Sequence, residues 1–247
     1  MDRVIYIAMT GAREVTRQQA AVSHNLANVS THGFRQELSV FRALPVVGEG
    51  AKTRAFVAET TPRTDFTQGA IQVTGRPLDV AVRGSGWIAV QDASGQEAYT
   101  RMGHLQISQN GILQTTNGLN IVGDGGPLAV PPEQDLLIAK DGTVSTVPVG
   151  QNLAGVAIAG RIKLVNPPET DLKRGDDGLF RLADGRPADA DANIQLISGA
   201  LESSNVNAAE ALVNMVSLSR QFEMQMKVLS NADSNHRSAD KILSMTS

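Results

Sequence analysis

A chain of 247 residues with 41% apolar content is long enough for one or two compact domains with a sizeable core, which excludes a wholly disordered protein. Its 22 basic and 25 acidic residues leave a net charge of −3 with no basic block, so the electrostatic footprint of a nucleic-acid binder or of a protein held on an anionic membrane is missing. The absence of cysteine excludes disulfides, thiolate nucleophiles and cysteine-ligated metals.

The N-terminal segment carries the first predicted element. Ile5, Ala8, Ala12, Val15, Gln19, Val22, Leu26 and Val29 are spaced alternately three and four apart, which keeps them on one face of a helix, with Gln19 the single polar member. Between Gln18 and Phe34 there is no Asp, Glu, Lys or Arg, whereas a solvated helix is usually laced with such pairs. Amide side chains take their place, and they hydrogen-bond across a crowded interface without the desolvation cost of an ion. The opening apolar run is short and Arg13, Glu14 and Arg17 follow it, so no cleaved secretory signal is expected. No stretch approaches the ~20 apolar residues of a membrane-spanning helix.

Residues 35–75 fit neither helix nor strand periodicity. Pro45, Gly48, Gly50 and Pro62 interrupt them and threonine recurs throughout, so this stretch is expected to be an extended connector with one strand near 55–58. From 76 to 183 the pattern is that of strands: Leu78 to Val82, Trp87 to Val90 and Leu105 to Ile107 are short alternating or apolar runs. Asn-Gly or Asp-Gly pairs at Asn110, Asn117, Asp124, Asp141, Asp177 and Asp184 supply hairpin turns, because both residue types tolerate positive φ. An antiparallel β domain over 76–183 follows, with its clearest hairpin at Leu105–Leu113. Residues 184–199 are a turn-rich return path.

At the C-terminus, Met215, Phe222, Leu229, His236 and Leu243 recur every seven residues, and Leu218, Ala232 and Ala239 supply the partner positions. Between Ser203 and Ser219 the only charge is Glu210. The expected fold class is therefore α+β: terminal helices over 1–34 and 200–247 paired as a coiled-coil module, with the β domain inserted between them. A helical hairpin closing a monomer satisfies the same spacing. The missing charge argues for helices wrapped by neighbouring copies.

Little in the chain points to chemistry. Gly84-x-Gly86-x-x-Ala89 matches a short dinucleotide fingerprint, but it sits between two strand-like runs and opens no helix, so a β bend is expected there. Asp189, Asp191 and Asn193 begin like a calcium loop that then fails, with Ile194 at the turn glycine and Ala200 at the bidentate glutamate. The four histidines, His24, His32, His104 and His236, form no i, i+4 pair, and there is no Gly-x-Ser-x-Gly elbow. Asp176-Asp177 runs into Gly178, which marks a turn, not a hydrolytic pair. No enzyme, cofactor, metal site or small-molecule substrate is expected.

Asn25-Leu26-Ala27-Asn28-Val29-Ser30-Thr31-His32-Gly33-Phe34-Arg35 closely resembles the signature at the end of the first helix of the bacterial flagellar rod and hook proteins. The resemblance continues through Arg76 to Val82, Ala98-Tyr99-Thr100-Arg101 and Leu201 to Asn207, so it spans nearly the whole chain. Within that family the opening Met1-Asp2-Arg3, the run Asp176 to Arg181 and the run Phe222 to Lys227 look most like the proximal rod type, while Trp87-Ile88 departs from the paired phenylalanines common across the wider family.

The resemblance implies a structural subunit of the rod, the periplasmic drive shaft that carries torque from motor to hook, exported by the flagellar type III apparatus without a cleaved signal. It further implies terminal helices paired in an inner tubular layer with the β domain outside. Its partners would be copies of itself, proximal and distal rod proteins, and the export apparatus. The expected subunit-interface residues are Ile5, Ala8, Ala12, Val15, Gln19, Val22, Asn25, Leu26, Asn28 and Val29 on the first helix, Gly33 and Phe34 just after it, and Asn205 and Asn207 ahead of the second. On the second helix they are Leu212, Met215, Leu218, Phe222, Met226, Leu229 and Leu243. Gly33 is expected to turn the chain out of the first helix. The alternatives are a distal rod subunit or, in a different class, a periplasmic binding module or wall-acting hydrolase on a helical stalk.

Overall fold

The computed structural model describes residues 2–39, 41–45, 55–59, 63–131, 134–148 and 156–245. It divides into two units. The first comprises Met1–Val29, Gln36–Asp65 and Val206–Ser247; the second comprises Ser30–Arg35 and Phe66–Asn205. The class is α+β, with a helix towards each end of the chain and antiparallel strands between them.

Unit 1 holds α1 (Asp2–Ala27), β1 (Glu37–Leu38), β2 (Phe41–Pro45), β3 (Ala55–Glu59), β4 (Arg63–Thr64) and α2 (Ala208–Met245). The backbone N–H of Asn28 folds back onto His24 and Asn25 carbonyls at 3.2 and 3.1 Å, and the Asn28 amide covers the same His24 carbonyl at 2.9 Å, which closes α1. Asn207 starts α2: its Oδ1 accepts from the N–H groups of Ala209 and Glu210 at 3.1 and 3.3 Å, the work of an N-cap. The two helices pack on each other. Gly11 faces the Gln225 amide so closely that a Cβ would sit 3.2 Å from it, and the two positions lie at similar distances from the end of α1 and the start of α2, as an antiparallel pair requires.

Residues 36–65, expected as connector with one strand near 55–58, hold that strand as β3 and add three more to the helical unit. β2 and β3 form one antiparallel ladder, and β1 pairs β4 with Glu37 opposite Thr64. Local periodicity could not show this, because the strands are two to five residues long and one is completed by a side chain. The Asn25 amide donates to the Glu37 carbonyl at 2.8 Å and accepts from its N–H at 2.9 Å, so α1 supplies what a neighbouring strand would.

Unit 2 is the β body. Its strands are β5 (Ile71–Val73), β6 (Val80–Arg83), β7 (Trp87–Gln91), β8 (Glu97–Thr100), β9 (Leu105–Ile107), β10 (Leu113–Thr115), β11 (Asn120–Gly123), β12 (Gly126–Pro127), β13 (Gln134–Ile138) and β14 (Thr143–Pro148). They continue with β15 (Ala157–Arg161), β16 (Leu164–Val165), β17 (Leu172–Arg174), β18 (Phe180–Leu182), β19 (Gln195–Ser198) and β20 (Ala200–Glu202). One sheet runs β17-β18-β8-β7-β11-β10-β9, with β12 on β11 and β16 on β7; β13-β14-β15 form a second, and the pairs β19-β6 and β20-β5 stand apart. Five of the six Asn-Gly and Asp-Gly pairs join hairpins: Gly111, Gly118, Gly142 and Gly178 have positive φ at the turns after β9, β10, β13 and β17, and Asp124-Gly125 links β11 to β12, whereas Asp184-Gly185 follows β18 and joins none.

β7 explains why Trp87 to Val90 is apolar without interruption. Ile88 and Val90 enter a core with Val82, Leu105, Leu113 and Ile121, while Trp87 and Ala89 face a second core with Tyr99, Val165 and Phe180. A strand buried on both faces carries no alternation. The glycines of the dinucleotide-like motif lie in the bend between β6 and β7, as expected for a bend. The return path 184–199, expected to be irregular, contains β19, which pairs β6 over four residues from Gln195 opposite Arg83 to Ser198 opposite Val80.

Tyr99 in that second core is fully buried; its hydroxyl accepts from the Ala188 N–H at 2.6 Å and donates to Glu97 at 3.1 Å. Burial pushes the phenol up to about 12 from 10.0. The folded chain therefore keeps this proton where the unfolded chain has released it, so stability should fall as pH rises from about 10 to about 12. Denaturant titrations at several alkaline pH values check this, with Tyr99→Phe expected to remove that part of the slope.

Candidate assembly interface

The faces of α1 and α2 are more divided than a single seam on each would make them. On α1, Ala8, Ala12 and Val15 are buried and Ile5, Gln19, Val22 and Leu26 half-buried, which is the expected stripe. A second row beside it is also covered: Ile7, Gly11, Gln18 and Ala21 are half-buried and Glu14 and Asn25 buried. Glu14 keeps one carboxylate oxygen on Arg13 and Arg17 at 3.4 and 3.3 Å; its other oxygen has no hydrogen-bond partner among the described residues.

On α2 the half-buried positions are Met215, Leu218, Phe222, Gln225, Leu229 and Ala232, with Ala211 buried, an unbroken alternation of four and three. Gln225 had escaped the apolar count because it is polar; the close approach of Gly11 gives it its place. Leu212 and Met226, expected at the interface, lie off this seam and are exposed. The side chain of Leu243 lies outside the described residues.

The amide residues of the signature are employed within the chain. Asn25 closes onto β1 and Asn28 covers the end of α1. The Asn205 amide donates to the Thr67 carbonyl at 3.1 Å, and Asn207 caps α2.

Gly33 also has a different role from the one expected. α1 stops at Ala27, and Gly33 follows six residues later with φ 71° and its N–H on the Glu202 carbonyl at 2.8 Å. A Cβ there would lie 2.4 Å from the Arg101 carbonyl carbon. The glycine is needed because two backbones touch, beyond its freedom to turn. Gly33→Ala is therefore expected to cost unit 2 about 2 kcal/mol, read as a lower midpoint in denaturant with an unchanged slope.

Next to it lies a cluster that the sequence did not reveal as a site. Arg35, Arg101 and Glu202 are all buried. One Glu202 oxygen meets Arg35 and the Gly69 N–H, at 3.1 Å for the latter, and the other meets Arg101 at 3.0 Å. Arg101 reaches on to the Gly84 carbonyl at 2.6 Å and lies 5.3 Å from the Trp87 ring. Burial pulls the Arg101 guanidinium down from its usual value, and the Glu202 charge opposes that pull. Phe34 is buried beneath Arg174, whose guanidinium sits 4.5 Å above the ring while one of its N–H groups donates to the Arg35 carbonyl at 3.0 Å. The cluster ties four separated stretches of unit 2 together, at residues 33–35, 69, 101 and 202. Charged residues inside the family signature were the only available sign of it.

Among the described residues no group of His, Asp and Glu is placed to hold a metal ion, and no helix is long and apolar enough to cross a membrane. What the molecule does offer is a long helical surface, only partly covered, with large apolar side chains exposed along it.

Comparison with known proteins agrees with that emphasis. The family description "Flagellar hook protein FlgE/F/G D1 domain" matches residues 81–146, and "Flagellar basal body rod FlgEFG protein C-terminal" matches residues 197–242. The chain is 45% identical to the flagellar basal-body rod protein FlgF of Escherichia coli K12 and 44% identical to that of Salmonella typhimurium, in each case over 100% of both chains. It is 31% identical to the flagellar basal-body rod protein FlgG of Buchnera aphidicola from Acyrthosiphon pisum, over 93% of this chain and 95% of that one. The chain belongs to the FlgF family of flagellar basal-body rod proteins, structural subunits of the rod.

Proposed function

We propose that this proximal-rod subunit is held in the rod through α1 and α2, paired with each other as a coiled coil and covered on their remaining faces by other subunits, and that the assembled rod carries torque. One observation carries the reading: α2 has a half-buried seam towards α1 and, elsewhere around it, large apolar side chains left exposed, among them Leu212, Val213 and Val216 in a first half whose only charge up to Ser219 is Glu210. A helix of 38 residues is about 57 Å long, so load is shared over many packed side chains. Stiffness of that kind comes from close packing and needs no catalysis or cofactor.

The partners in this reading are copies of the chain, other rod proteins and the flagellar type III export apparatus, which delivers the chain to the periplasm-spanning rod without a cleaved signal. The seam positions named above hold the pair together, and the exposed positions meet neighbours. Electron microscopy of basal bodies from wild type and a deletion strain, with mass spectrometry of the rod fraction, tests it. The expected result is loss of the rod beyond its innermost segment, with this chain present in the wild-type fraction. An intact rod lacking the chain would overturn the reading and favour a binding module.

A further inference from the structure

The β body carries an open groove that neither the helices nor the charged cluster uses. It lies between residues 166–171 and 182–192 and encloses about 740 Å³, within the range of about 300–1,000 Å³ over which proteins hold ligands. Among its lining residues Ala188 is buried and Pro167 and Leu182 are half-buried, which sets apolar surface at its base. The rim is acidic. Asp171 belongs to the first stretch and Asp184, Asp189 and Asp191 to the second; with Arg186 as the single cation, four aspartates and one arginine leave a local charge of −3. Arg186 is 84% exposed and comes no nearer than 4.0 Å to Asp184, so it offsets little of that charge.

The groove is held in shape from behind. The Ala183 N–H donates to the Asp171 carbonyl at 2.8 Å, the Asp191 N–H to the Leu164 carbonyl at 2.8 Å, and the Ala188 N–H to the Tyr99 hydroxyl at 2.6 Å. Pro167, Pro168 and Pro187 fix φ along its walls. A site already formed spends none of its binding energy on ordering itself. Its chemistry excludes several occupants. A phosphate, a carboxylate or an anionic headgroup meets charge of its own sign. A sugar ring finds no aromatic platform, because no aromatic residue lines the groove. Among the described residues the carboxylates are not grouped to hold a metal ion, and Asp191 turns one oxygen to the Asn193 N–H and amide, both at 2.9 Å.

We propose that this groove takes an extended segment of another protein in which lysines or arginines alternate with small apolar residues. Charge complementarity names the occupant: its cations meet the rim carboxylates where both stay hydrated, so no ion pays the desolvation cost of burial. Its small side chains lie on the proline, leucine and alanine surface below. An exposed ion pair contributes little alone, so affinity needs contact along the groove as well as charge. That separates a peptide from a free polyamine, which carries charges without a backbone and side chains to fill the space. Electrostatic attraction also speeds the encounter and weakens as salt screens it. The inference concerns unit 2 alone and does not depend on what covers α1 and α2.

The full-length chain is titrated with a short blocked peptide of alternating lysine and alanine, with the same peptide carrying glutamate for lysine, and with spermidine, each followed by amide chemical shifts. The lysine peptide should shift the amides of residues 166–171 and 182–192 and bind less tightly as salt is raised, while the glutamate peptide shifts nothing. Asp171→Asn with Asp189→Asn should weaken binding at least about tenfold. Both sites are exposed and the substitutions keep their size, so the Trp87 transition should stay within about 2 °C of wild type. The shift map of the wild-type chain stands whether or not that variant folds. Absence of saturable binding up to about millimolar peptide, shifts centred elsewhere, or unchanged affinity in a folded variant would each overturn the proposal. Spermidine binding as tightly as the peptide would reduce the groove to a site for mobile cations. The same amides shifting with protein concentration alone would assign it to a second copy of the chain, and either result overturns the basic-segment reading.

Discussion

Glu202→Ala is expected to destabilise the β body by about 3–5 kcal/mol, because it leaves two guanidinium groups buried without their counter-charge. Arg35 and Arg101 both lie inside unit 2, and Glu202 is the carboxylate that meets each of them. For a unit of this size the loss corresponds to a fall in Tm on the order of 10 °C. Trp87 is the single tryptophan and lies 5.3 Å from Arg101, so its fluorescence follows the transition directly. Glu202→Gln should fall between wild type and Glu202→Ala, since its carbonyl oxygen still accepts from the Gly69 N–H while the charge is gone. Replacing all three residues by apolar ones of similar volume should recover most of the loss, because the cost lies in uncompensated charge and not in the space the triad fills. A shift below about 2 °C in Glu202→Ala would mean that the arginines escape to water and that the cluster clamps nothing.

That cluster also shows why part of the molecule was not legible in the sequence. The two long helices were visible because a spacing of three and four is a local property of the chain, and the hairpins were visible because Asn-Gly and Asp-Gly fix local φ. Arg35, Arg101 and Glu202 come from three distant points, and charged residues are ordinarily at the surface, so nothing local marks them as buried partners. Of the strands in residues 36–65 only the one near 55–58 was expected, and the others were missed for a related reason. β1 is only two residues long, and its backbone is satisfied by the Asn25 amide, a contact between a helix side chain and a strand that no periodicity encodes.

The same distinction separates the faces of α2. A count of apolar residues picked out Leu212 and Met226 along with the seam, while the seam itself admits Gln225 and Ala211 and leaves Leu212 and Met226 exposed. Hydrophobicity selects which residues prefer to be covered. It does not say whether the cover comes from α1 or from another subunit, and only the placement of α1 against Gln225 divides the two sets.

Val15→Asp is the substitution expected to separate assembly from folding of the β body most cleanly. Val15 is 4% exposed, in the middle of the α1 stripe between Ala12 and Gln19, and an aspartate there would be a buried carboxylate with no cation in the apolar row to meet it. Leu26→Asp should act in the same direction but less strongly, because Leu26 is only half-buried and its charge could reach water. The cost for Val15→Asp is several kcal/mol, and α1 has little stability of its own to absorb it, since a helix of this length holds together mainly by packing. Far-UV circular dichroism should therefore lose helix signal while the Trp87 transition, which reports unit 2 alone, stays within about 2 °C of wild type. Incorporation into basal bodies should drop to background although the chain is still made and exported, so export and incorporation have to be scored separately. If the variant incorporates normally, the α1 stripe does not bear the assembly, and the burial of Ala8, Ala12 and Val15 is a matter of the hairpin's own packing. If Trp87 shifts along with the helix signal, the two units do not unfold independently, and the loss of incorporation would reflect a chain that is unfolded throughout.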